Sequence, residues 1–242
     1  VHLYRENWAE AEEIASDIIQ NSGYSLLRGQ EISSITLRDN NETIFQFYSQ
    51  DGYTSNASNL IASANGGIPT FPLSSDLINS FERTDLRYEY WIDSTSVSTG
   101  GPDQTKYYFQ KKYTSVPSNI ARDESLTVIR LAELFLIRAE SRLAQDSYEG
   151  ALEDLNLIRN RANTKALDLD YTYDDFIIAI LEERRKEFIA EWIHRFVDLK
   201  RLNLLSDVMA DKKPAWAEKS QLLPIPEIEI RYNQNLTQNT GY

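Results

Sequence analysis

No cysteine occurs in the 242 residues. A disulfide and a thiolate metal site are therefore both excluded, which fits either a reducing compartment or a secreted domain large enough to need no staples. Histidine is nearly absent: His2 and His194 are the two in the chain. They are far apart in sequence and neither belongs to a spaced ligand set, so a zinc site and a nucleophile–histidine pair both lack their parts. Glycine is held to 9 residues, and the pairs Gly66-Gly67 and Gly100-Gly101 fit neither phosphate-binding pattern. No metal and no cofactor is expected. Basic residues are scarce, 25 against 37 acidic, and the net charge of -12 opposes non-specific binding to nucleic acid or anionic lipid. No apolar run approaches the roughly 20 residues that span a bilayer, and no basic start followed by an apolar stretch marks a signal peptide.

What the chain does have is 41% apolar residues, enough to bury a sizeable core in one domain or two closely packed lobes. The richest stretch runs from Leu126 to Ala162. Val128, Ala132, Phe135, Ala139 and Leu143 recur at three and four residues, with Leu131, Leu134 and Ile137 widening the stripe, so the spacing predicts a core helix buried on most of its circumference. Asp146 with Glu149 then reads as a capping box opening an amphipathic helix through Tyr148, Ala151, Leu155 and Ile158. So short a connection makes the pair antiparallel, and Ala132, Ala139 and Ala151 allow the close approach of a tetratricopeptide-like hairpin.

Trp8, Ala11, Ala15 and Ile18 share a helical face after Asn7 and resemble the second half of such a hairpin. A half-hairpin cannot cover its own apolar face, so the chain is expected to be the C-terminal part of a longer protein. From residue 26 to 122 the helical period disappears. Thr43–Tyr48 and Arg87–Ile92 read as strands, Ser75–Glu82 as a short helix, and the polar runs Thr54–Asn59 and Ser94–Gln104 as loops of the kind that bind ligands. Asp174–Leu202 returns to helical spacing with dense charge, including Glu182–Lys186 at i,i+4. The tail Leu222–Tyr242 carries two prolines and no helical period, and is expected to be ordered but irregular, held over the helical core by its own apolar residues.

Three blocks of this sequence, Arg130–Glu140, Ile180–Arg201 and the tail with its Leu223-Pro224-Ile225-Pro226, Asn235-Leu236-Thr237-Gln238-Asn239 and Gly241-Tyr242, together resemble the SusD/RagB family of outer-membrane nutrient-binding lipoproteins. Asp85-Leu86-Arg87 is similar to that family's Asp-x-Arg element. The chain departs at Thr240, where the family has proline, and across Glu191–Asp198, which lacks the usual glycine and is one residue longer. The resemblance implies a mainly α fold: tetratricopeptide-like helical hairpins in an α-α superhelix, with an irregular, loop-rich insertion carrying short strands. Residues 1-242 form one region of it: a helix in 1-25, a ligand-binding insertion in 26-122, and a helical core with a wrapping tail in 123-242. It also implies a surface-exposed protein of the outer membrane, lipid-anchored through an N-terminal region absent here, that captures oligosaccharide for a TonB-dependent transporter without chemistry.

Sugars are held by aromatic platforms with amide, carboxylate and guanidinium partners. The aromatics Tyr48, Tyr53, Tyr88, Tyr90, Trp91, Tyr107 and Tyr108 lie in the insertion, where alternate members of a strand belong to a core. Tyr53, after Asp51-Gly52, and Trp91, beside the Ser94–Gln104 loop, are the preferred surface platforms. Tyr48 joins them, with Asn56 and Asn59 as hydroxyl partners, although loop asparagines often serve their own backbone. Paired carboxylates can hydrolyse a glycoside, but Glu182, Glu183 and Glu187 sit among Arg and Lys and read as a salt-bridge network. The expected function is thus non-enzymatic glycan binding; the alternative is a tetratricopeptide-like scaffold binding a peptide or protein.

Overall fold

The computed structural model describes residues 1–51, 59–62, 66–98, 100, 103–121, 123–168 and 170–242. It divides into two compact units, Val1–Trp192 and Ile193–Tyr242.

The first unit is centred on a helix, but the helix begins later than its apolar run. Leu126–Arg130 is a strand, β4, because a run of Leu, Thr, Val and Ile pairs with β1, Thr43–Phe47. At Arg130 the backbone is still extended, and helix α4 starts at Leu131 and runs to Leu143. Its Ala132, Leu136, Ala139 and Leu143 are fully buried against Ala151, Leu155 and Ile158 of α5, Tyr148–Arg161. The antiparallel hairpin is locked by Arg138, which grips Asp154 through two bonds of 2.9 and 2.7 Å. The capping box expected at Asp146 does not form. Asp146 takes a left-handed turn with φ 61° and Ser147 is the N-cap, because the reversal needs a residue that tolerates that conformation. Helix α6, Tyr173–Glu187, packs Phe176 and Ile180 into the same core and is capped by Thr172 and Asp175.

Helix α1, Trp8–Asn21, lies on α4. Ala11 and Ala15 are buried, Ile18 and Ile19 pack on the core and Trp8 is half-buried, so the expected face is largely covered, while the neighbouring Ile14 is 48% exposed. Glu12 reaches across to Arg142 at 2.9 Å.

The insertion is more regular than its composition suggests. Arg87–Trp91 is not a strand: Asp85 accepts from the Arg87 amide at 2.9 Å and caps helix α3, Leu86–Trp91. The preceding short helix, α2, is Ser75–Asn79. Strand β2, Ile92–Ser98, then pairs in unbroken antiparallel register with β3, Gln104–Gln110. Most of the expected Ser94–Gln104 loop is therefore ladder, as Ser and Thr alternating with Val and facing a Tyr-rich partner allow.

In the second unit α7, His194–Arg201, and α8, Leu205–Lys212, are followed by a 3-10 turn at Glu218–Gln221 and a short helix α9, Glu227–Tyr232. The helix departs from the irregular tail expected from the sequence. Pro226 supplies its N-cap at the position where a missing N–H costs nothing. The tail folds on itself: the Gln238 amide bonds both N and O of Ile225, Asn239 donates to the Leu223 carbonyl, and the Tyr242 hydroxyl donates to Leu222.

Candidate functional site

Strand β1 turns Ile44 to the core and leaves Phe45 and Phe47 facing solvent, 46% and 45% exposed. Their rings meet edge to face at 5.1 Å, and Ile129 of β4, opposite Phe45, extends the same surface. Tyr48, the residue after β1, is 48% exposed, with the Arg38 guanidinium 4.6 Å above its ring. Arg38 also pairs with Asp39 at 3.1 Å. Trp192, half exposed, donates from its indole to the Thr127 carbonyl of β4 at 2.9 Å. Exposed aromatic rings can stack on the C–H faces of a flat ligand, and a guanidinium beside one of them can meet hydroxyls.

A second aromatic surface lies where α3 meets the β2–β3 hairpin. Phe81 and Tyr88 meet at a tilt of 59° with ring centroids 5.9 Å apart and, with Glu82 and Arg83, line a notch of about 340 Å³. The Tyr88 hydroxyl is hydrogen-bonded to Tyr108, and the Lys106 ammonium stands 4.9 Å over the Tyr108 ring.

Of the residues expected from sequence, Tyr48 and Asn59 are exposed, while Tyr53 and Asn56 lie outside the described residues. Trp91 must be corrected. It is fully buried, its indole donates to the Ile32 carbonyl at 2.7 Å, and it packs with Leu27, Ile32 and Ile35. The hairpin that replaces the expected loop leaves Trp91 at a helix–strand junction facing inward. Phe45, Phe47, Phe81 and Arg83 were not singled out, although the alternation in Thr43–Phe47 puts both phenylalanines on one face.

The carboxylates are consumed elsewhere. Arg87 is held by Asp85 at 2.8 Å and Glu183 at 2.6 Å; Arg130 by Glu42 at 2.8 Å, Glu187 at 2.5 Å and Glu191 at 2.8 Å. Arg161 pairs with Glu42 and Glu187, and Arg159 with Glu183 and Glu82. Burial alone would raise the Glu187 carboxyl, but Arg161, Arg130 and Arg87 together hold it well below its ordinary range. Such a group stays ionised and cannot act as a general acid near neutrality. The network ties the insertion to α5 and α6 and is structural. Among the described residues no group of three or more His, Asp or Glu side chains is arranged for a metal ion, and no helix is long and apolar enough to cross a membrane.

Fold and site thus define a helical-hairpin scaffold that presents aromatic surfaces and keeps its charges paired in the interior. The chain belongs to the SusD family, whose model matches residues 38–242. A SusD-like protein of Formosa agariphila is 28% identical over 186 residues, covering 70% of this chain and 34% of the relative. Among solved structures, surface glycan-binding protein A of Bacteroides fluxus is 24% identical with a TM-score of 0.72, over 100% of this chain and 60% of that one. The SusD homologue of Bacteroides thetaiotaomicron is 23% identical with a TM-score of 0.75, over 96% and 54%. Surface glycan-binding protein A of Bacteroides thetaiotaomicron, solved in complex with laminarihexaose, is 20% identical with a TM-score of 0.72, over 98% and 61%. At these identities the structures show a shared fold, and the chain spans less than two thirds of each of these relatives.

Proposed function

We propose that this chain is part of a non-catalytic, cell-surface glycan-binding protein that captures oligosaccharides for a TonB-dependent transporter of the outer membrane. The observation that carries the reading is a set of aromatics left in solvent, the edge-to-face pair Phe45 and Phe47 and, just after the strand, Tyr48 beneath a guanidinium, in a family member whose other large aromatics include a fully buried Trp91. Exposed aromatic clusters of this kind mark ligand or partner surfaces. Tyr48 is the platform; Asn59, with Tyr53 and Asn56, supplies the polar contacts. Support from relatives is of the same kind, since one fold neighbour is titled as a complex with laminarihexaose. Capture needs no titrating group, which agrees with carboxylates locked in ion pairs. The N-terminal remainder of the same protein is a partner of this region and carries the lipid anchor.

A glycan array probed with the whole protein tests the reading. Binding to one or a few related oligosaccharides, with no release of product, is expected. Silence on every saccharide, beside micromolar binding of a peptide, would replace the glycan by a polypeptide ligand.

A further inference from the structure

We propose that the notch beside α3 receives an acidic sugar residue, a pyranose carrying a carboxylate or a sulfate, within the bound oligosaccharide. The proposal rests on the glycan reading and deepens it. One wall is aromatic, made by the rings of Phe81 and Tyr88 tilted 59° to each other, with Tyr88 37% exposed. Such a wall takes the C–H face of a sugar. The volume of about 340 Å³ lies at the lower end of small-ligand clefts.

Charge selects the class. Arg83, exposed, lines the notch, and Lys106 stands beside the Tyr88–Tyr108 pair. Neither has an ion-pair partner among the described residues, whereas Arg87, Arg130, Arg138, Arg142, Arg159 and Arg161 are all paired. Glu82 in the same lining does not cancel them. Its carboxylate accepts from Arg159 at 2.7 Å and from the Lys165 amide at 3.0 Å, so its charge is already met. The Tyr88 hydroxyl, raised by burial and by Tyr108, stays protonated and can donate to a ring oxygen or an anion. In a chain of net charge -12, an anionic ligand is repelled at long range. Two cations without an ion-pair partner among the described residues, Arg83 in the lining and Lys106 over the neighbouring Tyr108 ring, make a local exception, and a guanidinium meets carboxylate or sulfate through paired N–H donors.

Calorimetry with matched saccharides tests this. The probes are tetragalacturonate and its fully methyl-esterified form, and a chondroitin sulfate tetrasaccharide with its desulfated form. At least one acidic probe should bind about tenfold more tightly than its neutral counterpart, and the advantage should shrink as salt rises from 50 to 500 mM, values chosen on the order of the screening range. Arg83→Gln and Lys106→Gln should each weaken the acidic probe about five- to tenfold, with melting temperature and binding of neutral sugar unchanged. Equal affinity for acidic and neutral forms, or an Arg83→Gln variant that keeps the preference, overturns the acidic subsite while neutral binding keeps the glycan reading. Absence of heat from every saccharide overturns both. Which acidic probe binds separates carboxylate from sulfate.

Discussion

Trp91 is ringed by cations: Lys112 stands 3.9 Å from its ring centroid, and Arg161 and Arg130 stand at 5.8 and 5.9 Å. The indole excludes water from ion pairs that would otherwise be screened, and the pairs in turn fix its rotamer. Trp91→Ala should cost about 3–5 kcal/mol of folding free energy, while Tyr48→Ala, on the surface, should stay within about 0.5 kcal/mol of the parent; urea titrations of the two variants decide this. Glu187 binds Arg87, Arg130 and Arg161 at once. Glu187→Gln takes one buried carboxylate charge away from three guanidinium groups, which keep Asp85, Glu183, Glu42 and Glu191, and should cost about 3–5 kcal/mol. The sign with pH follows from linkage. Burial raises Glu187 and Glu191, but the surrounding cations outweigh it and lower both from the ordinary 4.5. Their contribution is present above that value and lost as pH falls through the folded-state range. Asp154 and Glu124, raised by burial, act the other way. Melting temperature should decline as the solution is acidified below pH 4.5, and Glu187→Gln should flatten the decline; an equal acid slope in parent and variant would remove Glu187 from the account.

The boundary between α6 and α7 carries a cost that is visible in sequence only as a departure. The resemblance marks Glu191–Asp198 as lacking a glycine; within it Trp192, and just before it Ala190, adopt φ of 44° and 60°. A left-handed non-glycine residue costs about 1–2 kcal/mol, of which glycine recovers part after its own entropy loss. Ala190→Gly should therefore stabilise the protein by about 0.5 kcal/mol, and a lower denaturation midpoint would show that the turn is held by contacts of the Ala190 methyl. Elements built from local period were legible: α1, α5, α6 and β1 follow from spacing. Those decided by partners were not. The Leu126–Arg130 run fits a helical stripe as well as a strand, and only pairing with β1 settles it. Arg87–Trp91 is helical because Asp85 caps it, a choice that strand propensity does not weigh. In the tail, Gln238, Asn239 and Tyr242 return to Leu222–Ile225 through bonds spanning 13 to 20 residues, which no periodicity reveals.

At the scale of the whole molecule, a hairpin scaffold holds the insertion by buried ion pairs running from Asp85 and Arg87 to Glu183, and from Glu42 to Arg130 and Arg161. These ion pairs anchor the elements that carry the exposed aromatics of β1 and α3, the condition under which the proposed binding would need little ordering. The candidate site was partly legible for the same reason. Exposure of Tyr48 goes with its place just past the end of β1, but burial of Trp91 depends on Ile32 and Lys112, which are distant in sequence. Calorimetry of the whole protein against a panel of oligosaccharides, with Tyr48→Ala beside the parent, tests the glycan-binding claim most directly. The parent should release heat with at least one saccharide and leave it uncleaved, and Tyr48→Ala should weaken that binding by about 1–3 kcal/mol at unchanged melting temperature. A parent that binds no saccharide, or a Tyr48→Ala variant that binds as the parent does, would contradict it.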